Sequence, residues 1–163
     1  MIRTATIDDV PLILRFIRDL ATYEKLAHAV VATEETLRET LFTKRYAEVV
    51  IAEHDGQPAG FALFFHNYST FLGKPGIYLE DLFVRPEMRG LGYGKALLAH
   101  LAALAVERNC GRVEWAVLDW NDPAMNFYKS LGASPVDEWT IFRLTGDALR
   151  NLAVLSSAPS TRS

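Results

Sequence analysis

The stretch from Tyr78 to Leu98 constrains this chain most, because it reads as a strand, a sharp turn and a helix start in direct succession. Leu79, Leu82, Phe83 and Val84 suit a buried strand, interrupted by Glu80 and Asp81, and Pro86 ends it because proline cannot donate to a sheet ladder. Arg89-Gly90-Leu91-Gly92-Tyr93-Gly94-Lys95 follows, then Leu97, Leu98, Leu101 and Leu104 at helical spacing. Glycines at alternate positions ahead of a helix let backbone N–H groups converge on an anion, and the positive helix end adds to the attraction. A phosphate or pyrophosphate fits such a loop. It is neither of the common nucleotide motifs: the sixth position counted from Gly90 is Lys95 rather than glycine, and Arg89 and Ala96 break the P-loop spacing.

At 163 residues, half of them hydrophobic, the chain is long enough for one domain with a sizeable core, assigned to residues 1–153 with 154–163 as a disordered tail. A net charge of −3 makes no electrostatic case for nucleic acid. No apolar run is long enough to span a membrane. The single cysteine, Cys110, excludes an internal disulfide framework and fits a reducing cytoplasm. His28, His54, His66 and His100 lack metal-ligand spacing, so no metal site is expected.

Taken in order, Ile2 to Ala5 form a short strand. Asp8 is the expected N-cap of a helix whose stripe is Val10, Ile13, Leu14, Ile17, Leu20 and Ala21. Thr22 to Ala32 form a loop, and a second helix follows Thr33. Ala47 to His54 and about Ala59 to Asn67 are antiparallel strands joined by the Asp55-Gly56 turn. After the glycine-rich helix, Asn109-Cys110-Gly111 is a stop and Val113 to Leu118 a further strand. Asn121-Asp122-Pro123 opens a short helix ending at Gly132. A last strand is centred on Ile141-Phe142, and a helical turn covers Asp147 to Leu152. The order βααβββαβαβ, antiparallel first and parallel around the glycine-rich helix, predicts a mixed α/β (α+β) sheet.

Two motifs resemble one family. Arg89, Gly92 and Gly94 occupy the fixed positions of the acetyl-CoA pyrophosphate loop of the GNAT superfamily of N-acetyltransferases, and Asn126-Phe127-Tyr128-Lys129 with Gly132-Ala133 resembles its second signature. Within that superfamily the chain is similar to spermidine/spermine (diamine) acetyltransferases. The similar segments are Ala21–Lys25, Tyr78–Val84, Arg89–Gly94 and Trp120–Lys129. The resemblance covers roughly residues 2 to 153. It implies a curved mixed sheet of six or seven strands flanked by about four helices, splayed beside the organising strand to admit pantetheine. It also implies a homodimer.

The resemblance further implies residue roles. Acetyl-CoA is the co-substrate, held by Leu82, Phe83, Val84, Arg89, Gly90, Leu91, Gly92, Tyr93, Gly94, Lys95, Asn121 and Asn126. Backbone N–H groups near Leu82 to Val84 also stabilise the developing oxyanion. Tyr128 is the general acid for the departing thiolate, since a phenol titrates near 10, close to an alkyl thiol. Glu80 accepts the amine's proton through water. Asp81 helps hold a cationic substrate, together with Tyr23, Glu24, Glu138 and Trp139. In a regular strand Glu80 and Asp81 point to opposite faces, and carboxylates there are costly unless solvated or matched by cations. After Glu24 the family carries extra acids, whereas this chain reads Lys25-Leu26-Ala27-His28. A small amine or a lysine-like amino acid is therefore as good a candidate as spermidine. The alternatives are a peptide or protein N-acetyltransferase, and a CoA-binding module without turnover.

Overall fold

A computed structural model describes residues 1–157, and the chain divides into two units, Met1–Trp120 and the part from Asn121 onward. The first unit is built on a five-stranded sheet in the order β1 (Ile2–Thr4), β2 (Glu48–His54), β3 (Gln57–Ser69), β4 (Lys74–Val84), β5 (Val113–Trp115). Neighbours are antiparallel except β4 and β5, which run parallel. The crossover between those two carries helix α3 (Tyr93–Glu107), the usual kind of connection for returning the chain in the same direction.

Helix α1 (Val10–Tyr23) buries the stripe that its sequence predicts. Its N-terminus differs from the expectation at Asp8. Thr6 and Asp9 form a capping box around a 3-10 turn, Ile7–Asp9, that precedes the helix. Asp9 wins the position because it also receives two hydrogen bonds from the Arg3 guanidinium, at 2.8 and 2.9 Å. That pairing holds the Asp9 carboxyl below its usual range. Thr33 caps α2 (Glu34–Leu37), which continues as a π-helical turn, Arg38–Thr43, burying Leu37 and Leu41.

Val49 and Ile51 of β2, Phe61 of β3 and Phe83 of β4 join the α1 and α2 side chains in one core. Phe16 and Phe61 stack with ring centres 5.2 Å apart, and Phe83 tilts against Phe16 at 6.2 Å. Strand alternation turns Val50, Ala52 and Ala62 to the other face, where α3 packs with Leu97, Leu98 and Leu101 buried. The β2–β3 hairpin turns on Asp55 and Gly56, both at positive φ as a two-residue primed turn requires.

The second unit begins with α4 (Asp122–Ser130), whose first turn is capped by the Asn121 side chain accepting from the Ala124 N–H. Gly132 at φ 94 ends it. Residues 133–145 carry no helix or strand, and α5 (Gly146–Val154) follows. The strand expected at Ile141-Phe142 is therefore absent: both side chains are exposed, at 76% and 93%. The strand expected over Val113 to Leu118 stops at Trp115. Apolar, β-branched and aromatic composition marks strand propensity, but a strand exists only where a neighbour accepts its ladder. Five strands stand among the described residues instead of six or seven. Of the expected tail, Val154 closes α5 and Leu155–Ser157 turns once more, while 158–163 lie outside the described residues.

The α1 face depends on Phe16, which is 1% exposed between two other rings. Phe16→Ala should cost about 3–5 kcal/mol of stability through lost burial and the cavity left behind. Equilibrium urea denaturation checks this.

Candidate functional site

Strand β4 and the turn after it carry two chemically distinct regions, and a β-bulge divides them. Leu82 and Asp81 stand opposite Ala62 and Leu63 of β3, but the next partner of β3, Phe64, stands opposite Leu79. Glu80 is the extra residue. A bulge of this kind lets two consecutive side chains serve one side of the strand. The expectation that Glu80 and Asp81 point to opposite faces is corrected accordingly: both line one pocket of about 420 Å³.

Glu24, the C-cap residue of α1, lines the same pocket. The other walls are aliphatic, from Ile17, Leu20 and Ala21 of α1 and from Leu26 and Ala29–Ala32 of the following loop. The end of α1 is a Schellman turn, in which the Leu26 N–H donates to the Ala21 carbonyl at 2.7 Å and the Lys25 N–H to the Thr22 carbonyl at 3.1 Å. Lys25 holds the left-handed position at φ 63, which glycine takes most easily and which costs another residue about 1 kcal/mol.

Among the described residues, none of the salt bridges reaches Glu24, Glu80 or Asp81. Burial, then the charges of Glu80 and Glu24, push the Asp81 carboxyl up to about 6. Burial and Glu80 raise Glu24 as well. Three carboxylates face one apolar-walled pocket, and with no salt bridge to them among the described residues the arrangement favours positive charge. The sequence marked the acids. It did not mark the aliphatic walls: the Ile17–Leu20–Ala21 stripe reads only as core, and its last turn becomes pocket lining where the chain bends away after Tyr23.

Beyond the bulge lies the second region. Pairing between β4 and β5 ends at Leu79↔Trp115, so β5 does not follow β4 along Leu82, Phe83 and Val84. The chain then passes through the turn Pro86–Met88 and enters α3 at Tyr93, with Gly90 at φ 80 and Gly92 at φ 90. No side chain caps this helix start, and the first helical bond there is from the Ala96 N–H to the Gly92 carbonyl. The N–H groups of Tyr93, Gly94 and Lys95 thus lie in the part of the helix that has no intrahelical acceptor. A Cβ at Gly90 or Gly92 would meet nothing within 4 Å, so these glycines serve backbone conformation and leave the space above the loop open. That geometry fits a pyrophosphate.

Arg89 folds back across the first unit. Its Nε donates to the Val84 carbonyl at 2.9 Å, and its guanidinium lies 5.1 Å from the Tyr23 ring centre and 5.5 Å from that of Phe83. Tyr23, expected on the acceptor side, therefore touches the loop expected on the cofactor side. Motif spacing gave no hint of this contact. Tyr93 is braced separately, through a 2.5 Å hydrogen bond between its hydroxyl and His54 Nδ1. Leu91 and Lys95 are exposed around the loop.

In the second unit, Tyr128 lies half-buried on α4 with its ring 5.7 Å from that of Phe127. Its carbonyl accepts from Leu131 and Ala133 at the helix end. Asn121 is the α4 cap and Asn126 is exposed on the helix. Glu138 and the 75%-exposed Trp139 lie in the segment without regular structure. No group of His, Cys, Asp and Glu side chains suited to a metal ion occurs among the described residues.

Asp81 generates a pH dependence whose sign is fixed. Its pKa is raised from 3.8 to about 6 on folding, so between these values the folded chain binds more protons than the unfolded one. The contribution of Asp81 to stability should therefore fall as pH rises from about 4 to about 6, and Asp81→Asn should remove that contribution. Urea midpoints measured across this range for both proteins check it.

Known proteins match this chain in sequence and fold. The family model described as the acetyltransferase (GNAT) family matches residues 15–133. A thialysine N-epsilon-acetyltransferase of Bos taurus is 43% identical over 94% of this chain and 96% of its own length. An L-ornithine N5-acetyltransferase of Arabidopsis thaliana is 38% identical over 95% and 88%. Among solved structures, an integron cassette protein from the mobile metagenome of V. cholerae superposes with a TM-score of 0.77 at 30% identity, covering 94% of this chain and 96% of that one. With the glycine-rich loop, the mixed sheet and these relatives in agreement, the chain belongs to the GNAT family of N-acetyltransferases, enzymes that use acetyl-CoA as the acetyl donor.

Proposed function

We propose that this enzyme transfers acetyl to a primary amine of a small cationic acceptor, a polyamine, a diamine or a lysine-like amino acid, by direct attack within a ternary complex. The observation that carries the reading is the pocket shared by Glu24, Glu80 and Asp81, where no salt bridge among the described residues neutralises the acids and the walls are aliphatic. Relatives named for thialysine and L-ornithine support a small amine as acceptor.

A primary alkylamine is mostly protonated near neutral pH, with a pKa of about 10.4, yet only its neutral form attacks. The site has to attract a cation and then take its proton. Asp81 and Glu24 supply the attraction, with Tyr23 alongside. Glu80, the exposed residue of the three, takes the proton through water. Acetyl-CoA supplies a thioester whose carbonyl carbon the amine nitrogen attacks. The N–H groups of Leu82 to Val84 meet the negative charge that develops on its oxygen. The loop Arg89–Lys95 and the start of α3 hold the pyrophosphate, with Asn121 and Asn126 as further cofactor contacts. Tyr128 donates its hydroxyl proton as the C–S bond breaks, and Glu138 and Trp139 complete the acceptor side.

In this reading residues 1–153 act as one acetyltransferase domain, which the family match across 15–133 supports. The enzyme works as a homodimer in the cytoplasm, in keeping with a single, free cysteine. No helix among the described residues is long and apolar enough to cross a membrane.

Two substitutions test the two halves of the proposal. Gly92→Val puts a β-branched residue at φ 90 and blocks the close approach of a phosphate. It should raise the Kd for acetyl-CoA at least tenfold, or about 1.4 kcal/mol, by calorimetry. Unchanged affinity in a folded variant would remove the loop from the cofactor site. Tyr128→Phe should preserve fold and cofactor binding while lowering turnover by about 10² to 10⁴, read as thiol release. Wild-type turnover, with chemistry rate-limiting, would make Tyr128 a packing residue only.

A further inference from the structure

The glycine-rich loop is open above and has no side-chain cap, so its conformation depends on what ties its two ends. Gly90 and Gly92 take positive φ, and a Cβ at either would meet nothing within 4 Å. Glycine leaves such a backbone many other conformations, and ordering it on binding costs affinity. At the start of the loop the Arg89 Nε donates to the Val84 carbonyl at 2.9 Å. At its end, Tyr93 is the first residue of α3, and its hydroxyl meets His54 Nδ1 at 2.5 Å. The two rings stand edge to face, with centres 5.7 Å apart. His54 closes β2, an inner strand of the sheet, and follows Val50 and Ala52 on the face that carries α3. Its side chain is 41% exposed, so burial explains little of its placement. The Asp55 carboxylate, 3.5 Å from Nε2, favours the ring proton on that nitrogen and leaves Nδ1 to accept the Tyr93 hydroxyl proton.

We propose that His54 is a positioning residue for acetyl-CoA: by holding the Tyr93 hydroxyl it sets the N–H groups at the start of α3 for the pyrophosphate before the cofactor arrives. The proposal rests on the loop's place in the function proposed above and deepens it. His54 acts through Tyr93 rather than on the reacting atoms. The bond runs from the end of an inner strand to the first turn of a helix that no side chain caps. It therefore fastens the mobile end of an anion site to the rigid part of the fold, and the entropy of ordering the loop is lost on folding instead of on binding. The Arg89 bond fastens the other end in the same way, so the backbone between Arg89 and Tyr93 is held at both limits.

Calorimetry of acetyl-CoA binding to the whole enzyme, with steady-state kinetics on ornithine as acceptor, tests this. His54→Leu keeps apolar bulk at the strand end and removes the ring nitrogen, and Tyr93→Phe removes the hydroxyl from the other side. Each should raise the Kd for acetyl-CoA about fivefold, within the usual worth of one hydrogen bond. The KM for acetyl-CoA should rise with it, while kcat and the KM for ornithine stay as in the wild type, the pattern of lost uniform binding. The double variant should bind no more weakly than either single one, because both delete the same bond. His54→Asn, whose amide reaches the Nδ1 position, should restore wild-type affinity. Unchanged Kd in folded His54→Leu and Tyr93→Phe, with Gly92→Val still weakening binding, overturns the proposal and leaves the loop reading standing. Additive losses in the double variant, or no rescue by His54→Asn, do the same. So does a fall in Tm with equal rises in both KM values, which would make His54 a turn residue only. If Gly92→Val also leaves affinity unchanged, the loop reading falls, and the His54 assignment with it.

Discussion

Unneutralised negative charge in the pocket beneath the end of α1 is the constraint around which the first unit is arranged. Carboxylates placed against aliphatic walls are costly to keep ionised, and Asp81 registers that cost as a pKa raised to about 6. A sequence optimised for stability alone would pair these acids, as it pairs Asp9 with Arg3 and Glu48 with Arg108 elsewhere in the same unit. The contrast is informative because the chain has the means to neutralise acids and does so away from the pocket. In the proposed function, the cation that Glu24, Glu80 and Asp81 receive is the acceptor amine.

The bulge at Glu80 creates this arrangement and also ends it. It brings Glu80 and Asp81 to one pocket, and the parallel pairing of β4 with β5 stops just before it, at Leu79. From there β4 continues along Leu82 to Val84 beside β3 alone, and the chain runs directly into the glycine-rich turn and α3. Acid cluster, strand edge and anion loop are thus consecutive on one stretch of backbone. Arg89 ties the far end of that stretch back to Tyr23, stacking on its ring and on Phe83 while its Nε holds the Val84 carbonyl. Tyr23 of α1 and Phe83 of β4 are therefore both packing neighbours of the Arg89 guanidinium.

What the sequence determined by itself is the local chemistry. The glycine spacing ahead of a helix, the Asp55-Gly56 hairpin, the α1 stripe and the stop at Gly132 act over a few residues, where backbone sterics and side-chain periodicity decide the outcome. Both acetyltransferase motifs are local in this sense, which is why the family was legible from them. Tertiary structure decided everything that needs a partner. Asp8 lost the helix start to Asp9 because Arg3, on a different element, favours Asp9. Ile141 and Phe142 have strand-like composition but no ladder to join. Glu80 and Asp81 alternate in any regular strand, and only the register against β3 shows that the strand is not regular. Lys25 reads as one more loop charge until Trp120, ninety-five positions along the chain, is seen to lie beneath its ammonium. Propensity and spacing are properties of neighbours in sequence, whereas a pairing register, a shared pocket and an unneutralised charge are properties of distant segments brought together by folding.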